Sequence, residues 1–387
     1  MQLPPSPTVE PVLDTVKLRP LPWRDLVLVA ALASGLAVAA TLAELSITRE
    51  TNGWLVHSGP NGPAAALMRE DLPDEPQFAR GEHDGPMFYA IAANAFDLQL
   101  ASRSLDRPQY RLQRPLYPWL SRVLYPPGHG AALVWSMFLV GTAGVFLGAL
   151  SMGSLAWMLG ARPIWGLAFG LLPGTLMTLR ISAADTLSTG LLLAAFAMAL
   201  RGRRSCILIA VLAVLSKETA LVSLAGFALW RRDRQGALFA AVPAAVAVAW
   251  GVFLRFAVPA GQGSLLDVTV PFAGLIDSAR LWLAGDNLLT LVCVPLGIVL
   301  ALVGSFRAGL GHPLSWPALA NLLLVAIFNL DVVGLDRNGT RTVLPLLAFG
   351  IVLSATASSA RRRLSQNTYF TATRLLPTRG ARPEVGS

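Results

Sequence analysis

The residues best suited to chemistry stand together in the first quarter of the chain, at Glu82-His83-Asp84-Gly85-Pro86. Two acids precede a proline placed to open a helix. Asp84 then has two readings. As a helix-terminal acid it caps, or complements the dipole of, the helix that follows. As a carboxylate base held above a helical bundle it takes a proton from an attacking hydroxyl. Glu82 beside Asp84 also invites a divalent cation, but two acids without a third oxygen ligand make a poor cage. No metal or other cofactor is expected. More ionisable residues, Glu44, Arg180, Asp185, Lys217, Glu218, Asp331 and Arg341, sit at the edges of apolar blocks. Charge at such depths is costly unless paired, wet or functional. Singly, each reads as an anchor or an ion pair; gathered on one side, they point to an outward polar cavity.

The elements that must position these residues follow from composition. The chain has 387 residues, 54% hydrophobic and only 14% charged, with mean hydropathy +0.57. Soluble domains carry roughly 25% charged side chains, so this chain lacks the polar surface to face water on all sides. Its apolar residues fall in blocks of about 17–20, the length that crosses a ~30 Å hydrocarbon core. The fold class is therefore an all-α polytopic membrane protein, which excludes a soluble enzyme, a disulfide scaffold and a disordered chain. Spans are expected at 26–45, 131–158, 163–180, 184–200, 205–216, 219–231, 237–255, 288–306, 315–331 and 342–359.

The net charge of +9 does not indicate nucleic acid. Only Lys17 and Lys217 are lysines; the arginines cluster between apolar blocks, as topology signals do. Lys17, Arg19 and Arg24 precede the first span. Arg162, Arg201–Arg204, Arg231–Arg234, Arg307 and Arg361–Arg363 then recur after every second span. Ten spans with both termini cytoplasmic place all of them on one side. A single span over 205–231 breaks that alternation, so two short helices meeting at Ser216-Lys217-Glu218-Thr219 are preferred. The first block has no convincing cleavage site and is expected to stay as the first span.

Three parts result: a cytoplasmic segment 1–25, a transmembrane domain 26–359 that includes an outer loop 46–130, and a cytoplasmic tail 360–387 with the composition of a disordered segment. The loop is too long to be a mere connector. Amphipathic helices are expected in it at Pro86–Leu100 and Tyr117–Leu124. Cys206 and Cys293 fall at different depths, so no disulfide is expected.

The pattern Asp84-Gly-x-x-x-Tyr89-x-Ile-Ala, in the loop after the first span, resembles the integral-membrane glycosyltransferases of the GT-C superfamily. The nearer likeness is to bacterial members related to the GPI mannosyltransferases and the lipid A aminoarabinose transferases. The run Arg107-Pro-Gln-Tyr110-Arg111-Leu-Gln-Arg114-Pro-Leu-Tyr117-Pro118 is similar to a stretch in such proteins. So are Asp185, Lys217-Glu218 and Arg341 with Leu344-Pro345. The resemblance covers most of the chain. It implies a cell-envelope enzyme of the bacterial plasma membrane, mannosyltransferase-like, moving a sugar from a polyprenyl-phosphate donor to a lipid, glycan or protein hydroxyl outside. Asp84 matches the family's catalytic aspartate. Arg111 and Arg114, on one face if their stretch is helical, become phosphate ligands, as do Lys217 and Arg341. Glu82, His83, Tyr89, Tyr117, Asp185 and Glu218 become further substrate-binding candidates. His83 departs from the pattern, which places an aromatic or small residue before the aspartate, and this touches the acceptor pocket.

Each of these residues has a plainer reading: Arg111 and Arg114 solvated, Lys217 paired with Glu218, Arg341 an interfacial anchor, Tyr89, Tyr110 and Tyr117 interfacial packing. Two other functions stay open, a multispanning transporter or lipid flippase and a non-catalytic partner of GT-C type.

Overall fold

The computed structural model describes residues 20–48, 52–74, 83–261, 268–285 and 287–357. It is all-helical: among the described residues the only β pairing is an isolated bridge between Val268 and Phe328. Helix α1 spans Trp23–Thr48. The first loop then carries α2 (Ala65–Asp71), α3 (Asp84–Ala93), α4 (Leu98–Ser102), α5 (Pro108–Arg111) and α6 (Leu116–Leu124). Next come α7 (Ala131–Met158), α8 (Leu167–Leu171), α9 (Pro173–Arg180), α10 (Asp185–Leu200), α11 (Cys206–Ser216), α12 (Ala220–Arg231) and α13 (Arg234–Ala257). The chain continues through α14 (Ala273–Leu283), α15 (Leu288–Ala308), α16 (Ser315–Ile327), α17 (Leu330–Val333) and α18 (Asp336–Thr342), and the last described helix, α19, is Leu344–Ala357.

Among the described residues four helices, α1, α7, α13 and α15, are long and apolar enough to cross a membrane, and the bent pair α18–α19 brings the number to five if it is one broken span. At ~1.5 Å per residue even the shortest of the four, 21 residues, extends about 32 Å. The other expected spans are shorter or broken. The stretch 163–180 is interrupted at Leu172, whose ψ of 134° leaves the helix just before Pro173, as the residue preceding a proline tends to. The final segment begins as α18, between the expected spans 315–331 and 342–359, and turns by 47° into α19.

The expected hairpin over 205–231 forms as two helices. Cys206, at the start of α11, and Arg231, at the end of α12, line the same cavity. The chain therefore turns back at Lys217–Thr219, and the arginines around 203 and 231 lie at one end of the bundle while Lys217 and Glu218 lie at the other.

Helix α7 is the axis of the bundle, 61% of its apolar window being buried, against 17% for α13, which presents most of its surface outward. The α7–α10 crossing is tight because both helices are bare where they touch. A Cβ on Gly190 would stand 2.6 Å from the Gly144 carbonyl oxygen, and one on Gly144 only 2.5 Å from the Leu187 nitrogen. Small residues at such a crossing let the backbones approach and maximise van der Waals contact, the main cohesive term where lipid is as apolar as the protein. Phe196, Phe227, Phe239 and Phe349, all fully buried, join α10, α12, α13 and α19 through ring centroids 5.0–5.8 Å apart, within the range of favourable offset and edge-on packing.

The first loop is docked on this bundle. Trp250 of α13 donates its indole N–H to the Leu112 carbonyl at 2.8 Å and packs edge-on against Trp119. Gln109 donates to the Val258 carbonyl at 3.1 Å.

Candidate functional site

Helix α3 starts with His83 as its N-cap and Asp84 in the first turn. No side chain caps it; the Asp84 carboxylate turns instead to two arginines. One oxygen accepts from Arg111 at 2.5 Å. The other accepts twice from Arg341, at 3.0 Å each. Steric exclusion fixes the approach. A Cβ on Gly85 would lie 2.2 Å from the Val56 carbonyl oxygen and 2.5 Å from that of Ile181, so only glycine lets α3 begin there. Gly174 does the same for Arg341: a Cβ on it would meet the Thr340 carbonyl oxygen at 2.3 Å, and α9 thereby seats against α18.

From these two arginines the network spreads. Arg111 also holds Asp106 through two hydrogen bonds, at 2.8 and 3.0 Å. Arg341 reaches Asp185 at 3.0 Å and Asn338 at 2.9 Å. Asp185 is in turn paired with Lys217. Close by, Arg114 grips both oxygens of Glu218, at 2.8 and 2.6 Å, a fork-on-carboxylate geometry that only arginine offers. Four carboxylates thus meet four cations, drawn from the first loop, α10, the α11–α12 turn and α18. Asp185 and Arg341 have side chains 5% and 6% exposed, and each holds its charge away from water because it is paired twice, Asp185 with Lys217 and Arg341, and Arg341 with Asp84 and Asp185.

Burial alone pushes the Asp84 carboxyl up, but Arg341, Arg111 and Arg114 outweigh it and hold the group well below the usual carboxylate range. The same balance, with Arg111 the main cation, lowers Asp106. His83 moves the other way in charge. Burial, then Arg337, His57 and Arg341, push its imidazole down to about 3. It is therefore neutral at physiological pH, and its Nε2 accepts from Arg337. His57, 5.1 Å away between ring centroids, is pushed down to about 4 by burial, with Arg180 and Arg337 adding to it against the hydrogen bond its Nδ1 makes to the Trp54 carbonyl.

The sequence candidates divide as follows. Asp84, Arg111, Asp185, Lys217 and Arg341 form one continuous network, with Arg114 and Glu218 beside it and His83 at its edge. Lys217 pairs with Asp185 rather than with its neighbour Glu218. Arg111 and Arg114 do not share a helical face: α5 ends at Arg111, and the two side chains diverge around Tyr110, whose ring faces Arg107 and Arg114 at 4.4 and 4.5 Å. Tyr89 lies elsewhere, donating to Asp71 at 2.8 Å and accepting from the Gly130 amide. Tyr117 is fully buried, its hydroxyl donating to the Met137 carbonyl. Glu82 is outside the described residues, as is the tail after Ala357. Sequence reasoning missed Asp106, Arg337 and Asn338. Arg337 carries the one available signal, its i,i+4 spacing from Arg341.

A cavity of about 10 Å³ lies against Asp185, Lys217 and Arg341, with Ser188 and Thr189 on its wall. That is room for roughly one water beside Asp185; Asp84 and Glu218, with side chains 23% and 29% exposed, form the more open part of the network. Among the described residues no three His, Cys, Asp or Glu side chains are grouped so as to hold a metal ion. Cys206 and Cys293 are buried thiols.

No family model, curated protein or solved structure is significantly similar to this chain.

Proposed function

We propose that the chain is a multi-pass membrane glycosyltransferase of GT-C type, moving a sugar from a polyprenyl-phosphate donor to an acceptor hydroxyl. The observation that carries this reading is the convergence of Arg111 and Arg341 on Asp84. It joins, at one point, a carboxylate able to take a proton and two guanidinium groups of the kind that bind phosphate. In the transfer, the acceptor oxygen bonds to the anomeric carbon as its proton passes to Asp84. The bond from that carbon to the phosphate oxygen breaks, and the lipid phosphate leaves with the electron pair. One displacement inverts the anomeric centre. Arg111, Arg114, Lys217 and Arg341 are the groups placed to hold the departing charge.

Paired as it is, Asp84 is a weak base. A donor phosphate competes for the same guanidinium groups, and in binding them it frees the carboxylate and cancels the field that lowers its pKa. Donor entry therefore requires Arg341 to part from the carboxylates. In this reading the ten-span arrangement holds, with the short helices α10–α12 and α16 crossing as members of the protein interior, where irregular backbone is tolerated. The charged centre faces outward, the arginine-rich end and both termini lie in the cytoplasm, and the acceptor is a lipid, glycan or protein of the cell envelope.

A transporter is the second reading, favoured by the ion pairing: charges neutralised on one another are also what an occluded carrier displays. Purified protein in nanodiscs, given labelled polyprenyl-phosphate mannose, glucose, galactose and arabinose, separates the two. Transfer or donor hydrolysis lost in Asp84→Asn supports the enzyme. Donor left intact, with labelled substrate accumulating in proteoliposomes, supports the carrier.

A further inference from the structure

At the end of the bundle away from the charged centre, a cavity of about 570 Å³ opens where α10 and α12 end and α11 and α13 begin. Helix α10, with 16 residues, separates the two sites by roughly 24 Å. Arg203, Arg204, Arg231 and Arg234 stand around this cavity. Its walls are apolar, formed by Ile207, Phe227, Leu238 and Phe239. We infer that it is a binding site for an anionic membrane phospholipid, with the headgroup phosphate among the arginines and the first acyl carbons against the apolar wall.

Arginines at helix ends serve topology by lying in water, and two features go beyond that role. The four come from two separate connections and converge on one hollow. Of the four, only Arg231 has a carboxylate, Asp233 at 2.8 Å; among the described residues Arg203, Arg204 and Arg234 have none. The concentrated positive charge attracts an anion, and guanidinium forks match phosphate oxygens. The volume lies in the range of small-molecule sites, and the lining combines apolar surface with a few charged groups. The apolar side continues outward: Leu238 is 40% and Leu208 61% exposed, a path for an acyl chain along α11 and α13. A soluble phosphate compound leaves that wall uncovered, and a zwitterionic lipid leaves the charge uncompensated. Basic hollows between helix ends bind anionic headgroups for this reason. The site is independent of whether the charged centre transfers sugar.

The test is lipid binding to the full chain in detergent, read by native mass spectrometry and thermal unfolding, with phosphatidylglycerol, phosphatidylcholine and glycerol phosphate as probes. Phosphatidylglycerol is expected to bind saturably and raise Tm, while the other two do neither. In the Arg203→Gln/Arg234→Gln variant, binding weakens by roughly thirtyfold. Arg307→Gln, which removes an arginine that does not line the cavity, leaves it unchanged. Equal binding of phosphatidylcholine reduces the cavity to an annular lipid contact and overturns the inference. So does glycerol phosphate matching the lipid, which makes this a site for a soluble anion. These comparisons use the unaltered protein and stand even if the double variant fails to fold.

Discussion

Asp84 and Arg341 are 257 positions apart and share two hydrogen bonds of 3.0 Å. The contact closes the first loop onto the last bent segment, and through Arg341 it continues to Asp185 on α10. The three most separated parts of the charged centre are thus fastened at one guanidinium group.

This arrangement predicts that Asp84→Asn folds. Arg111 keeps Asp106 and Arg341 keeps Asp185 when the Asp84 charge is removed, so neither arginine is left without an anion. Elution volume and Tm should match the parent, while transfer falls by about 10²–10⁴, the range for losing a general base. Loss of folding would instead make Asp84 a structural ion.

Arg341→Ala should behave differently. It leaves Asp84 and Asp185 without their shared cation, and Asp185 is 4% exposed. Asp84 keeps Arg111 and Asp185 keeps Lys217, so the cost should fall below the ~3–5 kcal/mol of a buried pair broken outright. Adding Asp185→Asn should recover part of that loss, a coupling of about 1–3 kcal/mol in a double-mutant cycle. Strict additivity in thermal or chemical unfolding would show that the two do not interact.

Gly85→Ala isolates geometry from charge. The added methyl meets two backbone oxygens, which cannot swing aside as a side chain can. The start of α3 must shift, carrying Asp84 with it, and a displacement near 1 Å costs on the order of 10²-fold in rate. Gly35→Ala on α1, where a Cβ meets nothing within 4 Å, is the neutral control. Equal activity of the two variants would separate Gly85 from the placement of Asp84.

Two of the first-loop histidines, His57 and His83, make stability fall in mild acid. Unfolded imidazoles take up protons below about pH 6.5, whereas His83 and His57 stay neutral in the fold down to about 3 and 4. A depressed pKa gives stability that is whole above the unfolded value and lost as pH drops toward the folded one. Tm should therefore decline from pH 6.5 to pH 4.5, and more shallowly in His83→Gln/His57→Asn. An identical decline in that variant would assign the effect to other groups.

How far the sequence foretold this depended on the range of each signal. Apolar blocks are local, and α1, α7, α13 and α15 stand where composition put them. The turn at Lys217–Thr219 followed from arginine spacing, a longer-range pattern. The break before Pro173 was visible as a residue but not as an interruption, because hydropathy averages over it. The ion pairs were beyond reach. Asp84, Asp185 and Arg341 could be singled out as costly charges, but their pairing depends on the α9–α18 and α3 contacts that Gly174 and Gly85 permit. Which cation reaches which carboxylate, as Lys217 reaches Asp185 rather than Glu218, is a property of side-chain reach, which no pattern of residue types encodes.

The most direct measurement is single-turnover transfer of label from polyprenyl-phosphate sugars by purified protein in nanodiscs, beside Asp84→Asn. The predicted result is label moved to an acceptor, or to water in its absence, and abolished in a variant that folds like the parent. Equal turnover by the two proteins would contradict Asp84 as the base, and label that stays on every donor in both would contradict a transferase.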